Sequence, residues 1–329
     1  MKRYSFIKAL LLPVVMLCAM ACETEYKHVS GDTELDVEFD NNYSSDKFRL
    51  ICFNIQNGMW ADQHNNYDNF VAWVKKYNPD ILCMQEASTI YKDHTKTHQS
   101  SSSKRYLPYG YQSHSPSATL DMEPKGWMEL AKRWGHDYVV IGAHQDNYPV
   151  VFTSRFPITR VAQLGGSELS HGGCHVIIKG IHMVGLHTWP QKFAPGDKDQ
   201  NPSNRNRGNA YRLSEIQHIL TRTINSDEYY TEKNWIIMGD FNSKSSEPAI
   251  LEMLSNSFTD ILKYNHNYEP RDSRVDYVFA TDNMLRSVVY SEYVMDGFAR
   301  SVQDPVTGFW TYSDHYPILV DFEIYNEEE

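Results

Sequence analysis

The chain has 329 residues, 41% of them hydrophobic and 22% charged, enough for one large domain or two small ones with a buried core, which excludes a disordered or collagen-like chain. Its formal charge of −11 comes without a dominating block of one sign, so a non-specific grip on nucleic-acid phosphates is disfavoured while a locally basic site stays open. Mean hydropathy is −0.55 and the one long apolar run lies at the N-terminus, leaving no candidate spanning helix in the body.

That N-terminal run, MKRYSFIKALLLPVVMLCAMAC, has a positive start at Lys2, Arg3 and Lys8, an apolar stretch from Ala9 to Met20 and a small-residue approach to Cys22. It reads as an export signal, and its end resembles the bacterial lipoprotein signal, which makes Cys22 the expected lipidated first residue of the mature chain. Ordinary secretion, with Cys22 a bystander, is the alternative. The expected organisation is a signal peptide over 1–21, a polar tether over 22–47 lifting the protein off a bacterial envelope membrane, and one domain over 48–329. Removing Met1 to Ala21 takes away three positive charges and no negative ones, so the balance falls from −11 to −14. Beyond the membrane no obligate protein partner is evident. Of the 5 cysteines, Cys52, Cys83 and Cys174 remain after the signal and the lipid site. Their odd number, apolar settings and spacing predict neither a disulfide framework, nor a zinc site, nor thiol chemistry.

The fold is expected to begin with a strand from Phe48 to Asn54. Phe70, Trp73, Val74 and Tyr77 follow at helical spacing, and after Pro79-Asp80 comes a second strand, Ile81 to Met84. Ser100 to Asp121 carries Ser, Pro, Tyr and Gly without a period and predicts a long loop, and Glu123 to Trp134 a short helix. Tyr138 to Ile158 and Cys174 to His187 read as two hairpin-like pairs, the second turning at Lys179-Gly180. A loop spans Pro190 to Asn206, and Leu213, Ile216, Ile219, Leu220 and Ile224 mark a helix. Trp235 to Met238 is a strand and Ala249 to Leu254 a helix. Val275 to Ala280, Ser287 to Val294 and Ile318 to Ile324 complete the strands. Strands of mixed neighbour type with helices between them predict a sheet-on-sheet core with helices outside.

Polar groups at the ends of such strands are held on a rigid edge while facing solvent. Six places qualify: Asn54, Glu86, His187, the pair Asp240 and Asn242, Asp276, and Asp314-His315 before the last strand. Together they supply carboxylates for a hard metal, a carboxylate able to take a proton from water, amide donors and two imidazoles, an inventory that fits phosphate-ester hydrolysis. Oxygen donors without a Cys or His cluster favour Mg²⁺ or Mn²⁺ over Zn²⁺. No Gly-rich phosphate loop, Gly-x-Ser-x-Gly elbow or dinucleotide fingerprint is present, which removes the main support for NTPase, serine-hydrolase and dehydrogenase readings.

Seven segments in order resemble the endonuclease/exonuclease/phosphatase superfamily, which includes deoxyribonuclease I, exonuclease III-like repair enzymes, bacterial sphingomyelinases and inositol polyphosphate 5-phosphatases. They are Phe53-Asn54-Ile55, Gln85-Glu86, Ser154-Arg155-Phe156-Pro157-Ile158, Leu186-His187-Thr188, Gly239-Asp240-Phe241-Asn242, Arg274-Val275-Asp276-Tyr277 and Ser313-Asp314-His315-Tyr316-Pro317. The resemblance implies an α/β fold, a four-layer α-β-β-α sandwich of two packed mixed sheets flanked by helices, with the site along one sheet edge. It implies Glu86 as the principal metal carboxylate, with Asp314 aiding the metal or the hydrogen-bond network. Asp240 would be the base acting on water, held by Asn54, and Asn242 a phosphate contact. His315 paired with Asp276 would stabilise phosphoryl charge, and His187 matches a second histidine of the deoxyribonuclease and sphingomyelinase branches. Arg155 and Trp310 are candidate substrate contacts.

One departure stands out: Gln56 occupies the place of an acid found two residues after the Asn in exonuclease III-type repair enzymes, which weakens the repair reading and any two-metal detail resting on that acid. The phosphate could sit on a nucleic acid, a phospholipid head group, an inositol phosphate, a nucleotide or a sugar. No apolar run resembles a membrane-inserting hairpin, so lipid is not favoured. The competing class is a non-catalytic, surface-tethered protein binding a glycan or phospho-ligand. Such a binder would be free to lose Glu86, Asp240, Asp276 and His315, all of which are present.

Overall fold

The computed structural model describes residues 46–59, 62, 67–87, 124–143, 148–197, 206–264, 273–300 and 312–324. Cys22, the expected tether up to residue 45, the loop expected over 100–121 and Trp310 lie outside the described residues. Among the described residues no helix is long and apolar enough to cross a membrane.

Among the described residues twelve strands form two sheets. One contains β1 (Lys47–Asn54), β2 (Ile81–Gln85), β3 (Tyr138–Ile141), β4 (Val151–Ser154), β11 (Val288–Tyr293) and β12 (Ile318–Glu323), in the order β11-β12-β1-β2-β4-β3. The other contains β5 (Ile158–Leu164), β6 (Gly173–Ile178), β7 (Ile181–His187), β8 (Trp235–Asp240), β9 (Thr259–Asp260) and β10 (Asp276–Ala280), in the order β5-β6-β7-β8-β10-β9. Among the described residues β1 with β2 and β7 with β8 run parallel, and the other described pairs are antiparallel. The helices are α1 (Asp68–Tyr77), α2 (Pro124–Arg133), α3 (Arg207–Arg222), α4 (Pro248–Ser255) and the one-turn α5 (Ile261–Tyr264) and α6 (Asp282–Leu285).

Three apolar clusters explain why the layers stack. Alternate residues of a strand point to opposite faces, so a strand buried on both sides reads as a continuous apolar run. Leu50 and Cys52 of β1 join Met183, Ile236 and Met238 of the other sheet between the two sheets. Their neighbours Ile51 and Phe53 face outward and pack under α1 and α2, against Phe70, Trp73, Trp127 and Trp134. On the far side Val184, Leu186, Trp235 and Ile237 pack under α3 and α4, against Ile216, Leu220, Ala249 and Met253. Three cores separate four layers, helix, sheet, sheet, helix, as expected. Cys52, Cys83 and Cys174 are buried thiols of the inter-sheet core.

The strands differ from the sequence expectations in three details, one of them the two-residue β9. The run read as a hairpin over Tyr138 to Ile158 contributes β3 and β4 to one sheet, and its last residue opens β5 of the other. β5 carries no strand pattern of its own in the sequence: it is an edge strand with Thr159 and Gln163 exposed, so its apolar signal is diluted.

The topology collects polar groups at one edge. β1, β2, β7 and β8 all finish there, delivering Asn54, Glu86, His187 and Asp240. The antiparallel β10 and β12 begin there, delivering Asp276 at the start of one and His315 just before the other.

Candidate active site

At the centre lies Asp240, the last residue of β8, buried to 1% exposure. The strand reaches this point because Gly239 precedes it: its φ is 148°, and a Cβ there would stand 1.9 Å from the Leu186 carbonyl oxygen. Only glycine lets β8 and β7 close at that rung. Asn54 Nδ2 donates to Asp240 Oδ2 at 3.0 Å and to Glu86 Oε1 at 3.2 Å, while its Oδ1 accepts the Gln56 amide at 3.0 Å. One amide thus links two acids and is itself held. Glu86 Oε2 accepts the Asn57 N–H at 3.1 Å and the Glu86 carbonyl accepts the Gly58 N–H at 2.7 Å. Glu86 has φ 53° and Asn242 φ 46°, left-handed conformations that side chains other than glycine adopt at a cost, where the chain turns off β2 and β8.

His315 bridges the acids. Its Nδ1 bonds Asp276, 2.8 Å from Oδ2 and 3.0 Å from Oδ1, and its Nε2 lies 3.7 Å from Asp240 Oδ2 and 3.7 Å from Asp314 Oδ1. Ser313, fully buried, anchors the turn: its hydroxyl donates to the Asn54 carbonyl at 2.6 Å and accepts the His315 N–H at 3.0 Å. Burial by itself would lower the His315 pKa, but Asp276 and Asp240, with Asp314 behind them, hold it well above the ordinary imidazole range. Burial pushes Asp240 up to about 7 against the opposing pull of His315, with repulsion from Asp276 adding to the rise. Burial, and then the charge of Asp314, raise Glu86.

His187 ends β7 directly across from Asp240, its Nε2 3.6 Å from Asp240 Oδ2. Burial, with His171 and His315 nearby, holds its pKa well below the ordinary value, so it is a neutral ring. The Asn242 N–H donates to Asp240 Oδ1 at 2.8 Å and its Nδ2 to the Thr188 carbonyl at 2.9 Å, which fastens the turn after β8 to that after β7.

Asn54, Glu86, His187, Asp240, Asn242, Asp276 and His315 are therefore brought together, with Asp314 on the exposed rim. Arg155 is not. It follows β4, which runs antiparallel to β2, and its guanidinium pairs with Asp80 at 3.0 Å and with Asn78 at the start of β2. Glu86 lies at the other end of that strand, roughly 20 Å away at the rise of an extended chain. Arg155 ties β4 to the turn before β2 and stands far from this edge. Two members were not read from the sequence: the anchoring hydroxyl of Ser313, and His171, whose ring stacks on His187 at 4.2 Å with 17° between planes. His171 sits in a loop without strand pattern, so nothing marked it. The acidic atoms of Asp240 and Asp276 and a ring nitrogen of His315 all lie within 4.8 Å of one another, a group able to hold a cation.

Fold and edge together define a two-sheet α/β sandwich carrying an acid–imidazole cluster at one rim. The chain belongs to the Endonuclease/Exonuclease/phosphatase family, whose sequence profile matches residues 51–315. A search of curated proteins finds no match. Among solved structures, an AP endonuclease from Archaeoglobus fulgidus is similar at 18% identity with a TM-score of 0.53, covering 84% of this chain and 100% of that one. The 3′ phosphatase NExo from Neisseria bound to a product DNA hairpin aligns at 15% identity and a TM-score of 0.51, covering 84% and 99%. A family protein from Bacteroides thetaiotaomicron aligns at 14% and 0.53, covering 86% and 96%. At these identities the likeness is one of fold.

Proposed function

We propose that this chain is a divalent-metal-dependent phosphoesterase that hydrolyses a phosphodiester or phosphomonoester with activated water. The observation that carries the reading is the chain Asn54, Asp240, His315, Asp276, in which one buried carboxylate is raised toward neutral pH beside an imidazole held charged. A carboxylate poised near neutrality can take a proton from water. Asn54 Nδ2 on Oδ2 and the Asn242 amide on Oδ1 fix its plane and leave lone pairs toward the rim. Charged His315 offers Nε2–H to oxygens gaining charge on phosphorus, and Asp276 fixes the ring and favours its charged form. Neutral His187 adds a second imidazole next to Asp240, able to donate to a phosphoryl oxygen.

The donors suit a hard cation. Burial first and the charge of Asp314 second raise Glu86, and a cation held by the two carboxylates would offset both. Both are carboxylates with no thiolate near, the preference of Mg²⁺ or Mn²⁺. In the Asp240, Asp276, His315 group Nδ1 is already spent on Asp276, so Glu86 with Asp314 is the better pair to hold the ion. Bound there, the ion supplies Lewis acidity toward phosphate oxygens.

The fold neighbour bound to a product DNA hairpin supports a nucleic-acid phosphate as one substrate class, and phosphorylated small molecules are the other. The pattern ending at Cys22 supports a lipid-anchored protein of the bacterial envelope, and in that reading either substrate lies outside the cytoplasm. The test is a panel of phosphomonoesters and phosphodiesters, nucleic acid included, with and without Mg²⁺ or Mn²⁺ and with Asp240→Asn as control. Metal-dependent turnover lost in the control supports the reading; ligand binding without turnover of any ester would make the chain a binding protein instead.

A further inference from the structure

One face of α3 holds both loops that carry imidazoles at the rim. Glu215, 1% exposed, accepts the Ser170 N–H at 2.7 Å and the Ser170 hydroxyl at 2.6 Å on Oε1, and the Trp189 N–H at 2.8 Å on Oε2. Arg212, one turn earlier and 4% exposed, donates to the carbonyls of Trp189 and Gln191, each at 3.0 Å, and to the Ser243 hydroxyl at 3.0 Å. Both backbone groups of Trp189 therefore end on one helix. Ser170 immediately precedes His171, and Trp189 follows His187 by two residues. The carboxylate of Glu215 thus ties together the two chain segments whose rings stack.

The stack matters because no hydrogen bond fixes the His187 ring. Its Nδ1 is buried without a hydrogen-bond partner, and its Nε2, 3.6 Å from Asp240, is beyond hydrogen-bond reach. Ring plane and tilt are then set by packing, and the stacked ring of His171 covers one face. Burying a carboxylate is costly even with three donors on it, and burial raises the Glu215 pKa accordingly. An apolar side chain would seat α3 on the sheet at less cost; what the carboxylate adds is a fixed geometry between two loops.

We propose that Glu215 is a positioning residue of the active site, clamping the loops before β6 and after β7 so that His171 stacks on His187 and directs it at Asp240. The inference rests on the hydrolase reading for its kinetic consequence and on the fold alone for its geometry, and the experiment separates the two. In the full chain, Glu215→Gln keeps volume but turns an amide N–H toward the Trp189 N–H, breaking one tie; His171→Ala removes the stack; His171→Phe restores a flat ring.

With p-nitrophenyl phosphate and bis(p-nitrophenyl) phosphate as probes, Glu215→Gln and His171→Ala lower kcat about 10-fold with KM within about 2-fold, the signature of lost orientation. His171→Phe recovers about 3-fold or more of that loss, the stack being what the ring supplies. In parallel, ¹H–¹³C spectra at one pH follow the His187 ring resonance, assigned by its loss in His187→Gln, and it moves in both Glu215→Gln and His171→Ala as the ring current of the stack changes. An unmoved His187 resonance in Glu215→Gln overturns the clamp, as do parental kinetics in both variants. His171→Phe as slow as His171→Ala overturns the stacking argument. If the parent turns over neither these esters nor any other of the panel with Mg²⁺ or Mn²⁺, the hydrolase reading is what fails, and the spectra still decide the clamp.

Discussion

Asp240 and Asp276 face each other across one rung of the antiparallel β8–β10 ladder, and the His315 ring spans the space above them, 3.7 Å from the first and 2.8 Å from the second. Two like charges on one rung destabilise a sheet unless something of opposite charge intervenes. The imidazolium is that counter-charge, which is why its proton is held tightly. The same arrangement divides the labour: Asp276 holds the Nδ1 side of the ring, and Asp240, on the Nε2 side, keeps lone pairs for water.

Asp240→Asn and His315→Ala should each lower kcat by about 10²-fold or more with little change in KM, because each acts on a charge that develops only during attack on phosphorus. Asp276→Asn should cost less, since it removes only the group that orients His315. Combined with His315→Ala it should add little, the pair acting as one unit. Steady-state kinetics on the best ester of the panel, with circular dichroism to confirm folding, checks this. Additive losses would show that the two do not act together.

If Glu86 and Asp314 hold the cation, EDTA should abolish turnover and Mg²⁺ or Mn²⁺ restore it. Glu86→Gln should raise the metal concentration needed for half-maximal rate by about 10-fold or more, since a charged ligand is lost. Calorimetric titration of the metal reads the same loss without turnover. Full activity in EDTA would remove the metal from the mechanism.

Much of this site was legible because strand ends are legible. An apolar run that stops at Asn54, Gln85-Glu86, His187 or Asp240 announces where a rigid element meets solvent, and the run itself sets the layers. Arg155 shows the limit: chain order placed it beside the other segments, but β4 returns antiparallel to β2, so the end of one is the start of the other. Direction within a sheet is a long-range property that local pattern does not carry. His171 and Glu215 show a second limit. A loop residue and a mid-helix glutamate have no periodic signature, and only the closing of β6, β7 and α3 on one another brings them together.

The buried His136 makes stability depend on pH. Burial lowers its pKa to about 4 from the usual 6.5, the ring bridging the Thr153 hydroxyl at 2.7 Å and the Pro79 carbonyl at 2.8 Å. The unfolded chain therefore binds a proton near pH 6.5 that the folded one refuses until about pH 4. Stability is full above the unfolded value, falls as pH drops through this window and then levels. At 1.36 kcal/mol per unit, this one group accounts for up to about 3 kcal/mol. His136→Gln should be less stable than the parent at pH 7, and the gap in denaturant unfolding should narrow by that order toward pH 4. A gap independent of pH would show that the ring titrates alike folded and unfolded.

Gly239→Ala tests whether the approach of β8 to β7 is what delivers Asp240. The added methyl would stand 1.9 Å from the Leu186 carbonyl oxygen and 2.9 Å from its carbon, both backbone atoms that cannot swing aside as a flexible side chain would. Relief requires β8 to part from β7 at the rung pairing Leu186 with Gly239, and the next rung pairs His187 with Asp240. The φ of 148° compounds the strain for a residue bearing a Cβ. The expected cost is about 3 kcal/mol or more, a drop in Tm of roughly 6 to 12 °C for a domain of this size. The loss of kcat should exceed what the stability change explains, because at a temperature where the variant is still folded Asp240 is displaced from Asn54 and His315. Thermal unfolding and kinetics on the same preparation separate the two effects. A variant with parental Tm and parental kcat would mean that β7 and β8 do not need this close contact to hold the site.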